Sequence, residues 1–215
     1  TLYIIFERLA TKQWTLDERL TVSERAWRHK GSRMFLEVGH SATIEDLVRG
    51  IIVQSGNDAC IVIAEAISGH ERVFARHMTE KARALGLTKS HFTNSTGWHD
   101  EGHVTTAEDV AHLARALIRD FPQYYHYFRQ RAFRYNAIWQ HNRNELLGHY
   151  GGADGLKTGY TLKAGYSLVA SAQRQGRRLI LVLSGIRHED DRLREARRLL
   201  DWGFKQLELS SPCCP

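Results

Sequence analysis

The feature that most constrains the fold is a change in hydrophobic period partway along the chain. Through about the first 120 residues, apolar side chains recur at helical spacing, as in TLYIIFERLA, TIEDLVRGIIVQ, NDACIVIAEAI and ERVFARHMTEKARALG. The later segments AFRYNAI, AGYSLVASAQ and RRLILVLSGI are typical of strands, and turn residues Arg174 to Gly176 predict that the last two form a hairpin. The final segment, EDDRLREARRLLDWGFKQL, is helical again. The order predicts an α+β fold, an antiparallel β-sheet flanked by helices with a mostly helical subdomain.

Three helix boundaries carry local signals. Gly86 follows the apolar stripe of ERVFARHMTEKARALG and is predicted to lie at its C-terminal cap. Thr105 and Glu108 have the spacing of a capping box at the start of TTAEDVAHLARALIRDF. Pro122 is predicted to end that helix and to begin a second one in PQYYHYFRQ.

Size and charge limit the class of protein. The 215 residues are 42% hydrophobic, which suits one domain and requires no second. No run of about 18 apolar residues is present, and the start of the chain lacks a signal peptide, so any targeting segment lies outside this chain. The net charge of +6 favours anionic partners, but no nucleic-acid-binding motif or coherent basic face supports nucleic acid. The arginines of the last helix alternate with acidic residues and are predicted to be solvated: Arg192, Arg194, Arg197 and Arg198.

Cysteines and histidines give no sign of a metal or redox site, and no cofactor is expected. Cys60 lies in an apolar helical segment and is predicted to be a small core residue, whereas Cys213 and Cys214 lie in the tail SSPCCP. The stretch from His99 to His103 carries Asp100 where a zinc protease helix needs glutamate, and its glycines favour a polar loop. Three other histidines lack ligand-like neighbours and are expected at the surface or locally bonded: His112, His126 and His141.

Two polar triplets remain as candidates for chemistry. Ser55-Gly56-Asn57 lies between two helical segments, where Gly56 allows a sharp turn and Asn57 can cap the next helix. The triplet Lys157-Thr158-Gly159 is predicted to lead into a strand, with Lys157 just before it. Two interpretations of the lysine are open at this point. It lies either in an ordinary hairpin loop or at the rim of a site that receives an anion.

Taken in order, the triplets and their context resemble the penicillin-recognising serine enzymes, and within them the D-alanyl-D-alanine carboxypeptidases of the low-molecular-mass penicillin-binding protein class. The resemblance extends over most of the chain. It rests on LVRGIIVQSGNDAC, ALGL, HFTNSTGW, GHVTTAEDVA, QHNRNELL, DGLKTGYT, AGYSLVASA and LLDWGF. It implies a β-lactamase/transpeptidase-like fold, with residues 1–209 as the catalytic domain and residues 210–215 as a tail.

The resemblance also implies roles for individual residues. Ser55 would join the proton network around the nucleophile, and Asn57 would bind the substrate backbone or hold the catalytic lysine. Lys157, Thr158 and Gly159 would line the opposite wall of the cleft, where an ammonium and a hydroxyl suit a terminal carboxylate.

Two further residues complete the expected binding wall. The backbone N–H of Tyr160 would contribute to an oxyanion hole. Arg143 would support carboxylate recognition from beside Lys157, with an ordinary surface arginine as the alternative. The expected partners are a peptidoglycan stem peptide that ends in D-Ala-D-Ala and β-lactam antibiotics.

One part of the family pattern is missing. The Ser-x-x-Lys motif should supply the acylating serine and its activating lysine, yet no serine or threonine here has lysine three residues later. We therefore expect the nucleophile just upstream of Thr1, in a longer protein that is a serine-type carboxypeptidase located in the periplasm or otherwise outside the cytoplasm. A peripheral membrane association would need a segment that this chain does not contain.

Two alternatives remain, one from the same superfamily and one from another functional class. A β-lactamase of the same superfamily would need a deacylating glutamate, for which Glu101 and Glu145 are candidates in unconvincing contexts. A non-catalytic module that binds wall peptides would keep Lys157 and Arg143 without performing chemistry.

Overall fold

The computed structural model describes residues 1–209 and confirms the α+β class. The α-helices are α1 Leu2–Ala10, α2 Glu24–Arg28, α3 Ile44–Arg49, α4 Asn57–Ser68, α5 Glu71–Ala84, α6 Ala107–Asp120 and α7 Glu189–Leu209. A π-helical turn and a 3₁₀-helix accompany them, at Gly50–Gln54 and Pro122–Arg129. The strands are β1 Arg19–Thr21, β2 Ser41–Thr43, β3 Ala132–Tyr135, β4 Ile138–His141, β5 Ala153–Thr161, β6 Gly165–Arg174 and β7 Arg177–Ile186.

The main sheet is antiparallel, in the order β5-β6-β7. The predicted hairpin between β6 and β7 is confirmed, and Gln175 and Gly176 form its two-residue turn with φ angles of 49° and 74°. Positive φ at both central residues gives a turn whose twist matches that of the strands. Among the described residues β5 pairs only with β6, so β5 is an edge strand of this sheet.

The chain buries two apolar clusters. The larger one lies among the helices of the first half and extends to Leu156 on β5. The smaller one lies between the sheet and α7, and consists of Leu146, Leu168, Ala170, Ala172, Ala196, Leu200 and Phe204. The helical subdomain and the sheet therefore have separate cores, and β5 contributes to the larger one at the boundary.

Two local predictions in the first 120 residues have different outcomes. Gly86 adopts φ +83° just beyond the last residue of α5, which confirms it at the helix end. The capping box is wrong by one residue, because Thr106 caps α6 and its hydroxyl accepts the Asp109 N–H at 3.1 Å. The hydroxyl of Thr105 instead lies 2.8 Å from that of Ser90.

The prediction of one strand over AFRYNAI is also wrong. Asn136 and Ala137 have positive φ angles of 44° and 62°, and they separate β3 from β4 as a two-residue turn. An alanine in this conformation gives no turn signal in the sequence, since positive φ is uncommon outside glycine, asparagine and aspartate.

The arginines of α7 do not share one environment. Arg194 and Arg198 are exposed beside Asp191 and Glu195, as expected. Arg192 contradicts the prediction of a solvated face, since it is 4% exposed. It donates to the Arg143 carbonyl at 3.3 Å and to Glu189 at 3.1 Å, which ties α7 to the segment before β5.

The predicted core position of Cys60 is confirmed, whereas Cys213 and Cys214 lie outside the described residues. The stretch from His99 to His103 lies in a loop, as predicted. Within residues 1–209, no three histidine, cysteine or acidic side chains are gathered where they could hold a metal ion. No helix in the described part of the chain is long and apolar enough to span a bilayer.

Candidate active site

The first wall of the candidate site is the turn between Gly50–Gln54 and α4. Ser55 ends the π-helical turn with φ 59° and ψ 41°, a conformation that non-glycine residues seldom adopt. Gly56, not Asn57, is the N-cap of α4, so the predicted capping role of Asn57 is wrong. The Asn57 side chain instead donates to the Lys30 carbonyl at 2.9 Å, and its backbone N–H donates to Ser32 at 2.8 Å.

The second wall is β5. Lys157 lies in the middle of this strand, paired with Val169, and not before it as predicted. Gly155 and Gly159, which flank it, also lie within the strand, where packing favours glycine. A Cβ on Gly159 would lie 2.6 Å from the Ser167 hydroxyl oxygen on β6, and one on Gly155 would lie 2.9 Å from the Tyr125 hydroxyl oxygen. A side chain at either position would therefore clash with a neighbouring element.

Lys157 joins the two triplets across 102 residues of sequence. Its ammonium donates to the Ser55 hydroxyl and, at 2.8 Å, to the Thr158 carbonyl. Burial of the ammonium is the main cause that lowers the pKa of Lys157 from 10.5 to about 8; Cys60 opposes the shift, and the charges of Arg143 and Arg192 contribute to it. Within residues 1–209 no carboxylate forms an ion pair with it.

Arg143 lies at the rim between these walls. Its guanidinium is exposed and donates to the Ser32 hydroxyl at 2.6 Å, while its charge acts on Lys157. Ser32 therefore contacts both Asn57 and Arg143. The sequence did not predict that the segment Lys30–Ser32 contacts the candidate site. The glycine inside the polar string HKGSR was nevertheless a usable signal for a turn. Gly31 has φ +86°, which favours glycine.

The remaining predicted residues follow along β5. Thr158 is half-buried and pairs with Leu168, while Gly159 pairs with Ser167. Tyr160 is 53% exposed, and its ring packs against that of Tyr166 with centroids 4.4 Å apart. Chemically, an ammonium without an acidic partner, a hydroxyl and a guanidinium at one rim form a site suited to a carboxylate.

Comparisons with known proteins identify the family of the chain. The family model described as D-alanyl-D-alanine carboxypeptidase matches residues 1–187. The chain belongs to this family. The D-alanyl-D-alanine carboxypeptidase DacC of Escherichia coli is 39% identical over 222 residues, which cover 100% of this chain and 56% of that protein.

Solved structures of the same family share the fold. Penicillin binding protein 5 from Haemophilus influenzae superimposes with a TM-score of 0.91 at 37% identity, over 94% of this chain and 60% of that one. Penicillin-Binding Protein D2 from Listeria monocytogenes in its ampicillin-bound form gives a TM-score of 0.84 at 25% identity, over 94% and 83% of the two chains. The chain spans about half the length of the curated relatives it matches.

Cys60, a buried residue of α4, lies near Lys157. Burial raises the pKa of the Cys60 thiol to about 12, and the nearby positive charge of Lys157 opposes this shift.

The two glutamates considered for a β-lactamase lie elsewhere. Glu101 is exposed in the loop that contains His99 to His103. Glu145 is exposed and lies 3.9 Å from the guanidinium of Arg192. Neither forms a hydrogen bond or ion pair with Ser55, Asn57 or Lys157 among the described residues.

Proposed function

We propose that residues 1–209 form the catalytic-domain portion of a penicillin-sensitive, serine-type D-alanyl-D-alanine carboxypeptidase that acts on peptidoglycan stem peptides outside the cytoplasm. The observation that carries the proposal is the hydrogen bond between the buried Lys157 ammonium and the Ser55 hydroxyl. This hydrogen bond places a cation that has no acidic partner beside a hydroxyl group that can relay a proton. The ampicillin-bound relative supports β-lactams as ligands of the same site.

The substrate carboxylate would be bound on the β5 side of the cleft. Lys157 supplies positive charge, the Thr158 hydroxyl donates a hydrogen bond, and the exposed Arg143 guanidinium adds a second cation. Because Gly159 has no side chain, the substrate can approach the strand at this point. The Tyr160 N–H contributes to the oxyanion hole, where one preorganised donor contributes about 3 kcal/mol to transition-state stabilisation.

The covalent chemistry would begin with a serine outside this chain. That serine, from a Ser-x-x-Lys segment, attacks the carbonyl carbon of the penultimate D-Ala and forms an ester as the peptide bond to the last D-Ala breaks. The hydroxyl of Ser55 relays a proton to the leaving amine, and water later hydrolyses the ester.

The test compares two forms of the protein with labelled penicillin. The full-length protein should form a covalent adduct that resists denaturation, and it should release D-Ala from a D-Ala-D-Ala peptide. Residues 1–215 alone should form no adduct. A stable adduct on residues 1–215 would show that the nucleophile lies within this chain.

Other outcomes of the same experiment would favour the alternatives. Rapid turnover of a chromogenic cephalosporin by the full-length protein would favour a β-lactamase. Peptide binding by the full-length protein without release of D-Ala would favour a non-catalytic module. Peripheral attachment to a membrane, if present, would come from a segment outside this chain, and sedimentation of the full-length protein with lipid vesicles would detect it.

A further inference from the structure

The exposed end of the hairpin formed by β3 and β4 borders a cavity that the proposed chemistry does not use. The cavity, termed the tip pocket, has a volume of about 600 Å³, which lies in the range of ligand sites. Its lining includes the polar side chains of Arg19, His40, Asp46, Arg134, Tyr135 and Asn136. These residues come from β1, the segment before β2, α3 and the hairpin, so only folding brings them together.

The tip pocket has polar groups left free for a ligand. The Arg134 guanidinium is exposed and makes no hydrogen bond or ion pair among the described residues. The Tyr135 hydroxyl makes no hydrogen bond there either. Burial raises the pKa of this hydroxyl, and the charge of Asp46 adds to the shift, so the group stays protonated and can donate. Arg19 is fixed in place, since its Nε donates to the Ser41 hydroxyl at 3.0 Å.

The charges around the tip pocket nearly cancel. Arg19 and Arg134 contribute two positive charges, and Asp46 contributes one negative charge. The Glu37 carboxylate adds a second negative charge beside the pocket, where it lies 3.0 Å from the His40 ring. A simple anion would meet both carboxylates, whereas a neutral ligand with many hydroxyl groups can use guanidinium donors and carboxylate acceptors together. The lining therefore favours a polyhydroxyl ligand over an anion.

An exposed aromatic ring extends this surface along the hairpin. Trp139 is the cross-strand partner of Arg134, so the two side chains share one face of the hairpin, and Trp139 is 64% exposed. A flat indole packs against apolar C–H faces such as those of a sugar ring. Because a sugar ring combines such faces with hydroxyl groups at its edge, the indole and the tip pocket together are complementary to an oligosaccharide.

The hairpin connects this surface to the candidate active site. Arg143 lies two residues beyond the end of β4, at the rim of the cleft. Since a chain extends by at most about 3.6 Å per residue, the Cα atoms of Trp139 and Arg143 are within roughly 14 Å of each other. A glycan chain bound along the hairpin would therefore hold the peptides that it carries close to the cleft and raise their effective concentration there.

We infer that the tip pocket and Trp139 form a second binding site, which takes a neutral oligosaccharide of the glycan chain that carries the stem peptides. The inference rests on the proposed function, because that function is what brings a wall glycan to this protein. The site takes no part in bond breaking. Its loss should therefore weaken binding of the polymer and leave the reaction of a free peptide unchanged.

The first test measures binding of a peptide-free tetrasaccharide of β-1,4-linked N-acetylglucosamine to the full-length protein by calorimetry. Trp139→Ala should weaken binding about tenfold, because a large contact face is lost. Arg134→Ala should weaken it about fivefold through loss of hydrogen-bond donors. Trp139→Phe keeps an aromatic ring and should retain part of the affinity. Trp202→Ala, at an indole on α7 that is 62% exposed, is the matched control and should leave the affinity unchanged.

The second test compares the release of D-Ala from glycan-linked stem peptides with its release from a free D-Ala-D-Ala peptide. In the unaltered full-length protein the KM should be about tenfold lower for the glycan-linked peptides. Trp139→Ala should remove this difference, while kcat and the KM for the free peptide stay within about twofold of the unaltered protein.

Three results would overturn the inference. The first is that the tetrasaccharide does not bind the folded, unaltered protein, or binds Trp139→Ala and Arg134→Ala with the same affinity. The second is that inorganic phosphate binds in place of the tetrasaccharide, which would make the tip pocket an anion site. The third is equal KM values for the two substrates in the unaltered protein. The proposed function fails on other results, namely no release of D-Ala from either substrate and no penicillin adduct, and these do not alter tetrasaccharide binding.

Discussion

Two charged residues three positions apart on β5 have opposite environments. Asp154 is 6% exposed and fully partnered, since it accepts the Tyr125 hydroxyl at 2.9 Å and pairs with Arg178 at 2.8 Å and Arg129 at 3.4 Å. Lys157 also has its charge buried, yet it has no carboxylate partner within residues 1–209. Asp154, near the start of the strand, belongs to a completed ion network, whereas Lys157, in the middle of the strand, is a cation without an anion among the described residues.

The difference separates charges that serve the fold from charges that serve a ligand. A buried charge costs several kcal/mol to desolvate, and a completed network recovers much of that cost. Lys157 recovers less of it because it bonds only to a hydroxyl and a carbonyl. An arriving carboxylate would supply the missing partner, so the two sites should respond differently to substitution.

The largest expected effect is on ligand affinity. Lys157→Ala should weaken binding of a D-Ala-D-Ala peptide by about 100-fold, because a charge-assisted hydrogen bond contributes up to about 3 kcal/mol. The free energy of unfolding should stay the same or rise, since an unpaired buried charge is removed. Calorimetry and urea denaturation measure the two quantities. Lys163→Ala, at an exposed lysine beyond β5, is the control and should leave both unchanged. A large loss of stability in Lys157→Ala would contradict the comparison.

The next largest effect is on stability. Asp154→Ala should lower the free energy of unfolding by about 3 kcal/mol, because it leaves Arg178 partly buried without its anion. Peptide affinity of the folded fraction should change by less than about threefold. Urea denaturation measures the first effect, and the exposed Asp190→Ala is the control. If Asp154→Ala lost affinity and kept its stability, the surroundings of Asp154 and Lys157 would not differ as described.

The pH dependence should follow Lys157. Its pKa is about 8 in the folded chain, so the ammonium is lost as pH rises through 8, well below the ordinary value of 10.5. Affinity for the carboxylate should therefore fall about 20-fold between roughly pH 7.5 and 9.5. Over the same range the unfolded chain binds more protons at this residue, so its contribution to stability rises with pH. Calorimetry across this range is the measurement. Lys157→Arg, which stays charged, should show a flat affinity profile, and a fall in that variant would assign the dependence to another group.

The smallest effect concerns one hydrogen bond of the completed network. Tyr125→Phe removes the hydroxyl that donates to Asp154 and should lower the free energy of unfolding by about 1 kcal/mol. Tyr124→Phe is a matched control, because the Tyr124 hydroxyl makes no hydrogen bond among the described residues. Thermal denaturation compares the two variants, and an equal response would mean that the Tyr125 hydroxyl adds nothing to the network.

Patterns along the chain predicted much of the fold. The helical period of the first half, the β6–β7 hairpin and the closing helix follow from hydrophobic spacing and turn chemistry, which act over a few residues. The π-helical turn, the division of AFRYNAI and the three-residue strands β1 and β2 were not predicted, because short elements carry too little periodicity and the positive φ of Ala137 has no local signal.

The candidate site also has a part that the sequence predicted and a part that it did not. By itself, the sequence determined the fold class and the family resemblance, and it identified Ser55, Asn57, Lys157 and Arg143 as residues worth comparing. Only the tertiary structure decided that Lys157 lies in mid-strand and bonds Ser55, that Ser32 connects Asn57 to Arg143, and that Arg192 is buried. The physical reason is the distance in sequence between the groups that interact. Periodicity and capping depend on neighbours in sequence, whereas the pKa of a buried ammonium depends on groups that only folding brings close.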